Sequence, residues 1–132
     1  MNSNNCPCGR VKPYESCCGI MHQDISMAKT AEDLMRSRYV AFTKGDGDYL
    51  MQSHHSSTRP NPEKEEIEKW AKSVKWKGLE VIGSTKGTEN DTEGTVEFKA
   101  FFKELGRKKV IHENSKFVLE YGVWVYLGKV NT

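Results

Sequence analysis

Four cysteines fall within thirteen residues near the amino terminus, as Cys6-Pro7-Cys8 and Cys17-Cys18, with eight residues between the two pairs. Nothing else in the chain restricts its fold so strongly. Four thiolates close a tetrahedral coordination shell, and a segment of roughly 20 residues cannot bury enough apolar surface to fold unaided. The spacing therefore predicts one structural zinc ion held by Cys6, Cys8, Cys17 and Cys18. Metal binding would supply most of the local folding free energy, on the order of 10 kcal/mol. A closed shell has no position for water or substrate, so such an ion staples the chain and is not a Lewis acid. His22 stands at a permissible spacing from Cys18 and could replace one cysteine. Free or redox-active thiols are the alternative to a metal.

The chain has 132 residues, enough for one ordinary domain with its own core and too few for two. Its 20 Lys+Arg against 18 Asp+Glu leave a net charge of +2, without the concentrated positive charge that a phosphate backbone attracts. Arg107-Lys108-Lys109 is the local basic run, and it reads as a solvated turn. Nucleic acid is not indicated as a partner. No stretch approaches the roughly 20 apolar residues needed to span a bilayer, and the first five residues are polar and uncharged. We read the protein as cytoplasmic, where clustered cysteines point to a metal and not to disulfides.

Residues 19–29 read as a polar connector, with Met21, Ile25 and Met27 available to dock it. A helix follows, with Thr30 as its N-cap, Asp33 as a shortened capping-box partner, and Ala31, Leu34, Met35, Tyr39 and Phe42 at helical spacing. Gly45 and Gly47 stop it. Arg38 falls near the middle of the apolar face, whereas Arg36 points the opposite way. A short helical segment over Asp48–Ser53 ends in the pair His54-His55. Asn61 as N-cap and Pro62 at the first helical position start another helix, with Ile67, Trp70, Ala71 and Val74 on its buried stripe.

From Lys75 onward the period changes to two, which predicts strands over about 76–86, 93–104, 108–120 and 123–130. Turns are expected at Asn90-Asp91, Leu105-Gly106 and Tyr121-Gly122. Helices first and a meander afterwards imply an α+β domain with helices on one face of the sheet. Val96, Phe98, Ala100 and Phe102 share a face. On the next strand Ile111, Glu113, Ser115, Phe117 and Leu119 do the same, which turns Glu113 inward with them. A carboxylate there needs a partner, and we expect Arg38 and Glu113 to meet beneath the sheet. Trp70, Trp76, Trp124 and Tyr126 could line a ligand site, and at these spacings they read first as core and sheet packing.

The cysteine cluster resembles the SEC-C motif, a zinc-binding element found at the carboxy-terminal end of the Sec translocase motor ATPase. Cys6, Pro7, Cys8, Gly9, Lys12, Tyr14, Cys17, Cys18 and Gly19 fit its common form. Arg10, Val11, Pro13, Glu15 and Ser16 depart from it, so the metal ligands carry over and the motor's basic surface does not. Leu34-Met35-Arg36-Ser37-Arg38-Tyr39, Ala41-Phe42, Asp48-Tyr49-Leu50 and His55 are similar to the YchJ family of bacterial proteins. The likeness extends through Trp76, Gly78-Leu79, Glu113, Ser115, Phe117, Trp124 and Tyr126. His54 and Ser56 stand where that family often has Trp and Pro, and the second, carboxy-terminal SEC-C motif of many members is not in this sequence, which stops at Thr132.

The resemblance implies a SEC-C motif over 1–25 and, over 26–132, an NTF2-like cone: a curved antiparallel sheet packed against about three helices. Relatives of that fold use the cavity for isomerase or dehydratase chemistry, or only for binding. Two functions are consistent with these features. In the first, the chain is a non-catalytic adapter whose zinc knuckle binds a protein partner. In the second, the cavity takes a small molecule for acid–base chemistry, with His55 or His54 as base, Glu113 as a second acid–base group, and Arg38 or Tyr39 stabilising negative charge. A homodimer through the sheet face that carries Glu97, Lys99 and Phe101 is allowed.

Overall fold

The computed structural model describes residues 5–130. After a 3-10 turn at Tyr14–Ser16 come α1 (Cys18–Gln23), a second 3-10 turn at Ile25–Met27, α2 (Ala31–Lys44), α3 (Gly47–Gln52) and α4 (Lys64–Ser73). Four strands follow, β1 (Lys75–Lys86), β2 (Glu93–Glu104), β3 (Arg107–Glu120) and β4 (Val123–Lys129), paired antiparallel in the order β1-β2-β3-β4. The period-two segments and their boundaries match the sequence reading to within a residue. Alternation survives because helices cover one face only: Val96, Ala100 and Phe102 are buried while Phe101 is exposed.

Two of the turns are two-residue hairpin loops in which both residues have positive φ, 53° and 78° at Leu105-Gly106 and 54° and 79° at Tyr121-Gly122. That twist suits the right-handed twist of the flanking strands. Register shifts at Trp76/Gly78 and Val81/Gly83 in β1, and at Lys116/Phe117 in β3, mark bulges. Bulges bend a sheet and increase its twist, and here the sheet cups α2, α3 and α4.

Thr30 caps α2 as expected, its Oγ1 accepting from the Asp33 amide at 3.0 Å. The Asp33 carboxylate in turn accepts from the Lys29 amide at 3.2 Å. Gly45 closes the helix in a Schellman arrangement, in which the amides of Gly45 and Asp46 donate to the carbonyls of Phe42 and Ala41. Gly47, however, opens α3 and does not stop α2. Its amide donates to Glu68 Oε2 at 3.0 Å, so a side chain of α4 caps α3. Asn61 also departs from expectation. It begins a 3-10 turn ahead of α4, and its side chain accepts no capping hydrogen bond.

The segment read as a connector is mostly helix. Met21 on α1 is buried and Ile25 packs on the core, but Met27 is left exposed. The four cysteines form one continuous buried cluster with Leu34, Met35 and Val40 of α2 and Val96, Phe117 and Trp124 of the sheet. Helix α2 is therefore packed on two sides, against the sheet and against the cysteine knuckle, and the opposed directions of Arg38 and Arg36 follow from that position.

Candidate functional site: a cysteine knuckle and an arginine-bearing cavity

The Sγ atoms of Cys6, Cys8, Cys17 and Cys18 all lie within 4.8 Å of one another, and all four residues are buried. Cys8 and Cys17 Sγ are 3.6 Å apart, close to the edge of about 3.8 Å that a tetrahedron with metal–sulfur bonds near 2.3 Å requires. Four thiols this close cannot all ionise by themselves. Neighbouring S–H groups hold Cys8 down at about 5, while burial and the Cys8 charge push Cys17 up to about 11 and Cys18 further still. A divalent cation at the centre removes that mutual repulsion, so the donor set fits a bound metal ion.

His22 is not one of the donors. Its Nε2 donates to the Ser37 carbonyl at 2.8 Å and its Nδ1 accepts from the Tyr14 hydroxyl at 2.7 Å, so both ring nitrogens are engaged. Burial lowers its pKa, which favours this neutral tautomer. The ring also lies 4.5 Å from that of Tyr49. On the other flank, Arg36 Nη1 donates to the Cys8 carbonyl at 2.6 Å, and Arg10 pairs with Asp33 at 2.8 Å. Tyr14, Arg10 and His22 thereby attach the knuckle to α2 and α3. Sequence reasoning weighed His22 only as a substitute ligand and missed this bracing role, because its partners Tyr14 and Ser37 lie 8 and 15 residues away.

Between the sheet and the three helices lies a cavity of about 280 Å³. Its apolar wall includes Tyr39, Phe42, Trp70, Trp76, Phe98 and Ile111. Trp70 Nε1 donates to Glu104 Oε2 and Trp76 Nε1 to the Ala71 carbonyl, both at 3.0 Å. Both indole N–H groups are thus satisfied by the protein. Trp70 and Trp76 combine the two roles weighed from their spacing: they pack edge to face, with centroids 5.5 Å apart, and they line the cavity. Trp124, in contrast, is core.

The polar groups of the cavity lie together. Arg38 Nη1 donates to the Leu50 carbonyl at 2.9 Å and to Ser53 Oγ at 2.8 Å, and its Cζ stands 4.7 Å from the Tyr126 ring centroid. Desolvation pushes Arg38 down to about 10, which leaves it cationic at neutral pH. Glu113 Oε2 accepts from Ser115 Oγ at 3.0 Å and from the Tyr126 hydroxyl at 3.2 Å. The expected direct contact of Arg38 with Glu113 is not formed. Tyr126 serves both charges, offering its ring face to the guanidinium and its hydroxyl to the carboxylate. Burial and the Glu113 charge push its own pKa up to about 12.

Of the two candidate histidines, only His54 lines the cavity. Residues 53–55 run beside β4, the His55 amide donating to the Tyr126 carbonyl and the Tyr126 amide to the Ser53 carbonyl, both at 2.8 Å. Successive side chains of an extended segment point to opposite sides. His54 accordingly meets the Tyr126 ring edge-on at 5.0 Å. His55 turns away, 3.8 Å from Glu120 and with its Nδ1 bonded to Ser57. Burial and the charges of Arg38 and Arg59 push His54 down to about 4, so it is neutral and weakly basic near pH 7. Tyr39 lines the apolar end, stacked edge-on against Trp76 and pushed up to about 12 by burial.

Comparison with known proteins bears on this arrangement. The profile of the YchJ middle NTF2-like domain matches residues 30–128, from the cap of α2 to the end of β4. The chain belongs to the YchJ family. A UPF0225 protein of Chromobacterium violaceum is 46% identical to this YchJ-family chain over 123 residues, covering 92% of the chain and 89% of the relative. The solution structure of a SEC-C motif containing protein from Rhodopseudomonas palustris superposes with a TM-score of 0.85 at 32% identity, over 97% of this chain and 98% of that one. The crystal structure of a SEC-C motif containing protein from Psychrobacter arcticus gives 0.80 at 29% identity, over 99% of this chain and 86% of that one. The fold of this YchJ-family chain is thus an NTF2-like α+β cone preceded by a cysteine knuckle. Among the described residues, no helix is long and apolar enough to cross a membrane.

Proposed function

We propose that the chain is a small-molecule binding protein whose site is the cavity between sheet and helices. The cysteine segment, residues 5–25, forms a zinc-stapled brace that holds α2, and Arg38 with it, against the sheet. One observation carries this reading: a cationic guanidinium faces a mainly apolar cavity of about 280 Å³ with donors to spare. Among the described residues, Arg38 Nε and Nη2 have no protein acceptor. Desolvating a charge is costly, and a fold that keeps one in such a place gains most when a ligand completes its partners. The four thiolates support zinc as a structural ion, because a closed shell of soft donors suits it.

The test is a fragment screen on the full-length, metal-loaded protein, read by backbone amide NMR shifts. The reading expects hits whose shifts cluster at Ser53, Glu113, Ser115 and Tyr126. Hits confined to the outer sheet face, or no hits at all, would overturn it. Any acid–base activity would use Glu113 and the neutral His54, with Arg38 as anion stabiliser.

A second reading, the protein-binding adapter, draws support from Val11. It is 87% exposed at the knuckle, between Arg10 and Lys12. A partner that depends on the zinc motif would bind the wild type and lose the Val11→Asp protein while metal content stays unchanged.

A further inference from the structure

The polarity of the cavity is divided between its ends, and this division narrows what it can hold. At one end both indole N–H groups are already bonded to the protein, so Trp70 and Trp76 offer only aromatic surface, joined by Phe42, whereas Phe98 stands opposite Glu113 in the β2–β3 register. At the other end stand Arg38, whose Nε and Nη2 have no acceptor among the described residues, and Glu113. Both of the hydrogen bonds that Glu113 accepts fall on Oε2, and Oε1 has no donor among the described residues. The two charges share Tyr126, one over its ring at 4.7 Å and the other 3.2 Å from its hydroxyl. A single small ligand can therefore reach both.

Charge then decides among ligand classes. A purely apolar ligand would dehydrate Arg38 and Glu113 Oε1 without replacing their water partners, which is costly. A cation would meet Arg38. A dianion would satisfy Arg38 but hold its second charge beside Glu113, where like charges oppose ionisation. What remains is a monoanion whose charged group faces Arg38 and which carries a neutral hydrogen-bond donor for Glu113. At about 30 Å³ per water-sized group, the cavity takes on the order of ten non-hydrogen atoms. That is room for one aromatic ring and a short polar head.

We propose, resting on the cavity-binding reading, that the ligand class is an aromatic hydroxy acid. Its ring lies against Trp70, Trp76 and Phe42, its carboxylate accepts from Arg38, and the hydroxyl on the neighbouring carbon donates to Glu113. The carboxylate replaces the solvent that Arg38 otherwise retains, and bidentate acceptance suits a guanidinium fork. The hydroxyl discriminates: a site built to bond it rejects an analogue without it, because a buried acceptor is then left unpaired.

The experiment is an NMR titration of the full-length, metal-loaded protein with four probes: mandelate, phenylacetate (the hydroxyl removed), 1-phenylethane-1,2-diol (the charge removed) and toluene. We expect mandelate to shift the amides of Ser53, Glu113, Ser115 and Tyr126 and to bind at least fivefold more tightly than phenylacetate or the diol. Arg38→Met should remove the preference of acid over diol, and Glu113→Leu, which takes away the acceptor, the preference of mandelate over phenylacetate. If all four probes bind the cavity equally, the ligand class is overturned and cavity binding stands. If none of them shifts a cavity amide, both fail. The order of affinities on the wild-type protein decides the matter even where a variant does not fold.

Discussion

His22 Nε2 donates to the backbone carbonyl of Ser37 across 2.8 Å, and through this contact the cysteine knuckle touches the helix that carries Arg38. The connection continues beyond it. Tyr49 donates to Ser37 Oγ at 2.6 Å, Ser53 Oγ donates to the Tyr49 carbonyl at 2.7 Å, and Arg38 donates to Ser53 Oγ. One chain of hydrogen bonds leads from the knuckle to the cavity's cation.

Replacing His22 by Ala should therefore lower stability while leaving the bound metal in place. Loss of a half-buried ring that makes two hydrogen bonds costs about 1–3 kcal/mol. Urea unfolding with parallel metal analysis checks this. A fall in metal content to the level of a cysteine variant would restore His22 as a ligand.

Removal of the metal should loosen more than the knuckle. Chelation, or Cys8→Ser, is expected to lower the thermal midpoint and to speed amide exchange in α2, because the knuckle forms one face of that helix's packing. Exchange that accelerates only in residues 5–24, with α2 unchanged, would show that the helix stands without its brace.

Arg38 should contribute little to stability. Its attraction to Glu113 and Tyr126 is set against its desolvation, and Glu113 keeps Ser115 and Tyr126 as donors when the guanidinium is removed, so no orphaned charge is left behind. Arg38→Met is expected to unfold within about 1 kcal/mol of the wild type. A loss of several kcal/mol would make it a structural residue.

The pH dependence follows from His54. Its folded pKa of about 4 lies below the ordinary value near 6.5. The native state thus excludes a proton that the unfolded chain accepts. The corresponding stability is complete above 6.5 and is lost as pH falls toward 4. His54→Phe keeps the ring against Tyr126 and should flatten the stability profile across that window. An unchanged acid limb would assign it to carboxylates.

Two glycines of the sheet make opposite predictions. A Cβ on Gly94 would lie 2.5 Å from the backbone of Gly87, whereas one on Gly83 meets nothing within 4 Å. Gly94→Ala should cost roughly 1–3 kcal/mol through this clash. Gly83→Ala should be neutral or slightly stabilising by restricting the unfolded chain. Equal midpoints for the two proteins would contradict the close approach of Gly87 and Gly94.

The strands and their turns were legible from sequence because alternation and Leu-Gly or Tyr-Gly pairs are local signals, and one covered face keeps the alternation clear. Arg38 and Glu113 were legible as charges in apolar stripes. Their relationship was not, because Tyr126 comes between them from a strand whose own pattern says only that it packs inward. The choice between His54 and His55 was also hidden: it depends on residues 53–55 pairing with β4, a contact between segments about 70 residues apart in sequence. Asn61 illustrates a local signal overruled, since a 3-10 turn took the place of the cap.

That pairing of residues 53–55 with β4 has a consequence for the molecule among its own copies. It occupies part of one border of the sheet, and the bulges at Gly78 and Gly83 interrupt the ladder along the other, where Lys75, Lys77 and Lys86 add positive charge. Irregular, charged borders are poor templates for an added strand. A curved four-stranded sheet can thus remain dispersed at high concentration without the protection of a closed barrel.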